Sequence, residues 1–167
     1  MASSRRALPV ATLALRVLAL LLLAASIIII ATAKIRESIF DEEAVITFKD
    51  LYAYQYVLAV GVVGCAYNLV AALFVAINIA GRRKMIGGGE AGTVLLICAD
   101  AVFAVLIATG GAVGLGLTVE AQRRFGDVLD SSSKAFFIRV DISCGALLLA
   151  SLCVVFIVMI SSYSLTK

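Results

Sequence analysis

Histidine and tryptophan are absent from the 167 residues, proline occurs once, and charged side chains make up only 15% of the chain. Without histidine there is no His-based catalytic triad and no histidine metal site. The cysteines, Cys65, Cys98, Cys144 and Cys153, lack the close pairing of a zinc site. All fall within apolar runs and none in a loop, so structural disulfides are not expected. Neither Asn68 nor Asn78 is followed two positions on by serine or threonine, which removes any N-glycosylation acceptor. The stretch GRRKMIGGGE places its lysine before the glycines, the wrong order for a phosphate-binding loop. An enzyme is therefore not expected, nor a cofactor, a bound metal or a small-molecule substrate. A net charge of +3, scattered along the chain, gives no reason to expect nucleic acid as a partner.

What fills the chain instead is apolar. Hydrophobic residues make up 63% of it and the mean hydropathy is +1.11, whereas soluble domains carry about 25% charged residues. The expected solvent is the lipid bilayer. A membrane-spanning helix needs roughly 20 mostly apolar residues, and four stretches qualify, at about residues 9–33, 54–80, 91–119 and 140–163. The expected fold is an all-α integral membrane protein, a single four-transmembrane-helix bundle over residues 1–167 with both termini on one side. Pro9 suits the first turn of a helix, where its missing N–H costs nothing.

Basic residues suggest which side. Arg5 and Arg6 precede the first span, and Arg82, Arg83 and Lys84 crowd the short link between the second and third. This favours cytosolic N- and C-termini and a cytosolic link whose cations touch anionic lipid. The outer loops also carry cations, Lys34, Arg36 and Lys49 in the first and Arg123, Arg124, Lys134 and Arg139 in the third, so density near short-loop ends carries the argument rather than a raw count. Tyr52, Tyr54, Tyr56, Phe136 and Phe137 fall where aromatic rings line the outer interface. The acidic run Asp41, Glu42 and Glu43 is expected to be a solvated loop face. A rival reading makes Val17 to Ile30 the core of a signal peptide, cleaved after Ala31-Thr32-Ala33, which would leave three spans.

The third span carries a carboxylate, Asp100, well inside its apolar run. On insertion scales a charge near the centre of a membrane helix costs about 2.5–3.5 kcal/mol, so it faces a partner or a watery cavity rather than lipid. Arg16, inside the first span, offers the opposite charge. At about 1.5 Å of rise per residue both lie roughly 10–14 Å inward from the same face. From Asp100, helical spacing gives Ala104, Ile107, Gly111, Gly114 and Thr118, a small-residue stripe that admits a neighbouring backbone. Thr12, Ala19, Ser26 and Ala33 recur every seventh residue in the first span. The second offers Gly61, Gly64, Asn68, Ala71, Val75 and Asn78 on one side, amides that suit spare hydrogen-bonding capacity. Cys144, Leu148, Ser151 and Ser162 align only loosely in the fourth. The expectation is an intramembrane Arg16–Asp100 pair, with Gly61, Gly64, Asn68, Gly111 and Gly114 at packing faces. Two alternatives stand beside it. In one, Asp100 is protonated or bonded to Asn68 or Ser26 while Arg16 snorkels to headgroups. In the other, Asp100 serves an ion or proton relay in a small transporter or channel.

The stretches RVLALLLLAASIIIIATAK, FKDLYAYQYVLAVGVVGCAYNL and LLICADAVFAVLIATGGAVGLG, with SSYSL near the end, resemble the plant Casparian strip membrane domain protein-like family, within the MARVEL-type group. The resemblance covers nearly the whole chain, and its most specific marks are an arginine in the first span and an aspartate in the third, here Arg16 and Asp100. It implies a retained first span. It also implies a multi-pass plasma-membrane scaffold that forms homodimers or hetero-oligomers with related four-span proteins and gathers machinery for local cell-wall modification.

Overall fold

A computed structural model describes residues 2–32, 34–39, 42–47, 52–80, 90–125 and 131–165. Among these are four long helices, α1 (Ala2–Thr32), α2 (Tyr52–Ala80), α3 (Glu90–Phe125) and α4 (Ser131–Leu165). Each contains a segment long and apolar enough to cross a membrane: Val10–Thr32, Tyr52–Ile77, Gly92–Arg124 and Lys134–Ser164. Helices are what the solvent demands, because hydrocarbon satisfies no backbone N–H or C=O and a helix satisfies its own.

One repeat organises all four. The buried positions are Arg16, Ala19, Leu23, Ser26 and Ile30 on α1, and include Tyr54, Val57, Gly61, Gly64, Asn68 and Ala71 on α2. On α3 they include Asp100, Ala104, Ile107, Gly111, Gly114 and Thr118, and on α4 Val140, Cys144, Leu147, Ala150, Val154 and Ile157. Steps of three and four predominate on every helix, close to the repeat of about 3.5 residues that left-handed helical bundles use. The opposite faces carry large apolar side chains that suit lipid, among them Leu21, Ile28, Val70, Leu95, Val102 and Leu149. α1 packs on α2 and α4, and α3 packs on the same two, so α1 and α3 face each other across the diagonal.

Three features differ from the sequence expectation. α1 starts at Ala2, so Pro9 lies inside the helix rather than in its first turn. α3 and α4, with 36 and 35 residues, are longer than their apolar runs. At about 1.5 Å per residue each exceeds the roughly 30 Å of hydrocarbon, because charged Glu120, Arg123 and Arg124 are no obstacle to a helix that continues into water. Finally, the first loop contains a hairpin, β1 (Lys34–Ile39) antiparallel to β2 (Glu42–Thr47), with Ile35 opposite Ile46 and Arg36 opposite Val45. Glu42 and Glu43 thus begin a strand, while Asp41 lies outside the described residues. β1 packs against α4.

Some expected interface aromatics plug the bundle instead. Tyr54 is fully buried, with Phe136 edge-on at a centroid distance of 5.8 Å and Phe137 edge-on to Phe136 at 5.6 Å. Their rings close the end of the core that bears the hairpin. Tyr52 and Tyr56 stay exposed.

Candidate functional site

Arg16 and Asp100 meet in the interior, each side chain 1% exposed. Arg16 Nη1 donates to Asp100 Oδ1 at 3.0 Å and Nη2 to Oδ2 at 2.6 Å, an end-on fork that uses both carboxylate oxygens. A lysine would supply only a point charge here. The pair bridges the diagonal between α1 and α3, a span that suits the long arginine stem opposite the short aspartate.

A third residue completes the carboxylate. Tyr67 on α2 donates its hydroxyl to Asp100 Oδ1 at 2.7 Å, and its ring stacks on Phe103 at 3.8 Å with the planes 6° apart. The stacking holds the phenol in place and ties α2 to the pair. The sequence pattern points to the amide of Asn68 for such a bond. In the structure the adjacent tyrosine makes it, while Asn68 is fully buried with no hydrogen-bond partner for Oδ1 or Nδ2. Ser26 is also engaged elsewhere, its hydroxyl 2.8 Å from that of Ser143, which donates to the Ser26 carbonyl at 2.9 Å. Hydrogen bonds to charged groups contribute about 1.5–3 kcal/mol. Tyr67→Phe is therefore expected to lower the melting temperature of the purified protein while leaving it assembled, because the arginine fork persists; an unchanged melt would show that the phenol contributes nothing.

Gly61, Gly64, Gly111 and Gly114 sit at contacts between helices. A Cβ at Gly61 would come 3.1 Å from Ile27 Cγ1, and one at Gly64 3.0 Å from Ile107 Cγ1. One at Gly111 would lie 2.9 Å from Leu148 Cγ and 3.1 Å from the Cys144 carbonyl oxygen, and one at Gly114 would meet Cys144 Sγ. Polar groups add bonds beside them. Tyr54 and Thr118 join α2 to α3 at 3.3 Å, and Thr118 also donates to the Gly114 carbonyl. At the same end Asp141 Oδ1 is buried without a hydrogen-bond partner, and Arg124 pairs with Glu120 one turn back along α3. All four cysteines are free thiols. No group of three or more His, Cys, Asp or Glu side chains suited to a metal occurs among the described residues. Arg82, Arg83 and Lys84 lie outside those residues, and so does the side chain of Asn78.

Four spanning helices, a buried repeat of 3.5 residues and an arginine–aspartate pair shared by the first and third helices define a multi-pass α-helical membrane protein. The comparisons with known proteins make the class specific. Residues 5–153 match the Casparian strip membrane protein domain, so the chain belongs to that family. It is 38% identical to CASP-like protein 4D1 of Sorghum bicolor over all of this chain and 96% of the relative. It is 32% identical to CASP-like protein 4D1 of Ricinus communis, over 94% of this chain and 92% of the relative. It is 30% identical to CASP-like protein 4D2 of Arabidopsis thaliana, over 96% of this chain and 92% of the relative. No solved structure matches.

Proposed function

We propose that this protein is a non-enzymatic plasma-membrane scaffold that associates with copies of itself or with related four-span proteins and organises a local membrane domain. Its termini and the link carrying Arg82, Arg83 and Lys84 face the cytosol in this reading, and the domain it organises serves local cell-wall modification. The observation that carries the proposal is the closure of Asp100: both oxygens are bonded, to Arg16 and Tyr67, and the residue is 0% exposed. A carboxylate that relays ions must meet water on a path through the membrane, whereas a closed one specifies packing. Lipid-facing surfaces built of large apolar side chains then remain for lateral contacts.

Two measurements test this together. Differently tagged copies expressed in plant cells are expected to capture each other from mild detergent, and the fluorescent fusion to recover from bleaching severalfold more slowly than a monomeric four-span control. A freely diffusing monomer overturns the scaffold reading. In sealed vesicles carrying the folded protein, proton and cation fluxes are expected to equal those of protein-free vesicles. Flux abolished by Asp100→Asn would establish a transporter or channel instead.

A further inference from the structure

Arg16 spends two of its three guanidinium nitrogens on Asp100, and Nε has no hydrogen-bond partner although it is buried. Asn68 is 0% exposed, and its Oδ1 and Nδ2 are likewise without protein partners. Buried polar groups in native proteins are overwhelmingly bonded to protein or to ordered water. Three such atoms in one helical interior therefore point to water.

Their placement follows from the packing. Gly64 lies against both Leu23 of α1 and Ile107 of α3, so its stripe on α2 faces the space between those helices. Asn68 is one turn further along that stripe. Gly61 meets Ile27 and Gly64 meets Leu23, and extending this antiparallel register sets Asn68 opposite Ala19 and Leu20, about one turn, or ~5 Å, from the level of Arg16. On α3, Gly64 against Ile107 and Tyr67 on Phe103 set an antiparallel register that brings Asn68 level with Phe103, between Asp100 and Ala104 on the buried face. Ala19 and Ala104 are buried and end at Cβ, so neither side chain can bond the amide. Arg16 Nε offers one donor, Asn68 Nδ2 two donors and Oδ1 an acceptor, a set that gives a water the two to four polar neighbours it requires.

We infer that the bundle holds at least one internal water between Arg16 Nε and the Asn68 amide, inside the hydrocarbon depth of the membrane. The water accepts from Nε–H and donates to Oδ1, and it completes the polar layer that Tyr67 begins on the other side of the ion pair. Asn68 is then a water-binding residue rather than a direct ligand of Asp100.

Magic-angle-spinning NMR of the full-length, labelled protein in bilayers tests this by transfer of magnetisation from water. Arg16 Nε–H and Asn68 Nδ2–H are expected to receive it at similar mixing times, well before the backbone amides of Leu23 and Ile107. In Asn68→Leu, transfer to Arg16 Nε–H is expected to slow severalfold while the Arg16 and Asp100 side-chain shifts stay close to native. Absence of transfer to either group, at mixing times that saturate the exposed Arg124 guanidinium, overturns the inference. So does unchanged transfer to Arg16 in the folded Asn68→Leu protein. Should Asn68→Leu not assemble, the native protein decides alone: matched build-up at both groups sustains the shared water, and a signal at only one refutes it.

Discussion

Arg16→Asp and Asp100→Arg are each expected to abolish most recoverable, monodisperse protein in mild detergent and its delivery to the cell surface, and the double exchange to restore a large part of both. Each single change sets two like charges face to face in an interior where the native side chains are 1% exposed. Stranding one member of a buried pair costs about 3–5 kcal/mol, which is about two to four orders of magnitude in the folded population. The exchanged pair regains its partner but not the whole network. Tyr67 donates to Asp100 Oδ1, and an arginine at that position offers the phenol no acceptor. Recovery should therefore fall short of native, and Tyr67→Phe should cost much less in the exchanged background than in the native one. Size-exclusion yield and thermal melts of the full set decide this. If all variants assemble alike, the pair has no structural role and the vesicle flux measurement becomes decisive.

Gly111→Ala and Gly114→Ala are both expected to lower stability by about 1–3 kcal/mol, the ordinary cost of overpacking, yet they should respond differently to Cys144→Ala. The methyl at position 114 runs into Cys144 Sγ, with Val57 Cγ2 2.9 Å away. Trimming the thiol removes the worst of that collision, so Gly114→Ala should be largely rescued. At position 111 one obstacle is the Cys144 backbone oxygen at 3.1 Å, which no substitution at 144 takes away. That variant should stay impaired, with α3 pushed away from α4. Melting temperatures of the two singles and two doubles give the comparison, and equal rescue at both sites would contradict the packing described.

Much of this architecture was legible in the sequence because lipid is a strict solvent. It sets span length, and it makes any intramembrane charge costly enough that Arg16 and Asp100, at matched depth on small-residue faces, stood out as partners. The Asp100 stripe through Ala104, Ile107, Gly111, Gly114 and Thr118 coincides with the buried face of α3. What stayed hidden depends on lateral arrangement, which no single helix encodes. Depth does not reveal that α1 and α3 are diagonal. Tyr67 lies beside the Gly61, Gly64 and Asn68 stripe rather than on it, and only the position of Phe103 on α3 shows why its hydroxyl points to Asp100. Tyr54, Phe136 and Phe137 resemble an interfacial belt until their helices converge. The hairpin was masked by charge, since Lys34, Arg36, Glu37, Glu42 and Glu43 make its two short strands look like loop.

The members of the ion pair are 84 residues apart in sequence. At ribosomal rates of about 5–20 residues per second, Arg16 waits roughly 4–17 s after its own synthesis before Asp100 has been made at all. During that interval the first helix must enter the bilayer as a cation without its counter-ion, held near the headgroups or by the insertion machinery. A chain truncated between α2 and α3 would therefore keep an unneutralised arginine in its first span, a chemical mark by which membrane quality control can tell unfinished copies from complete ones.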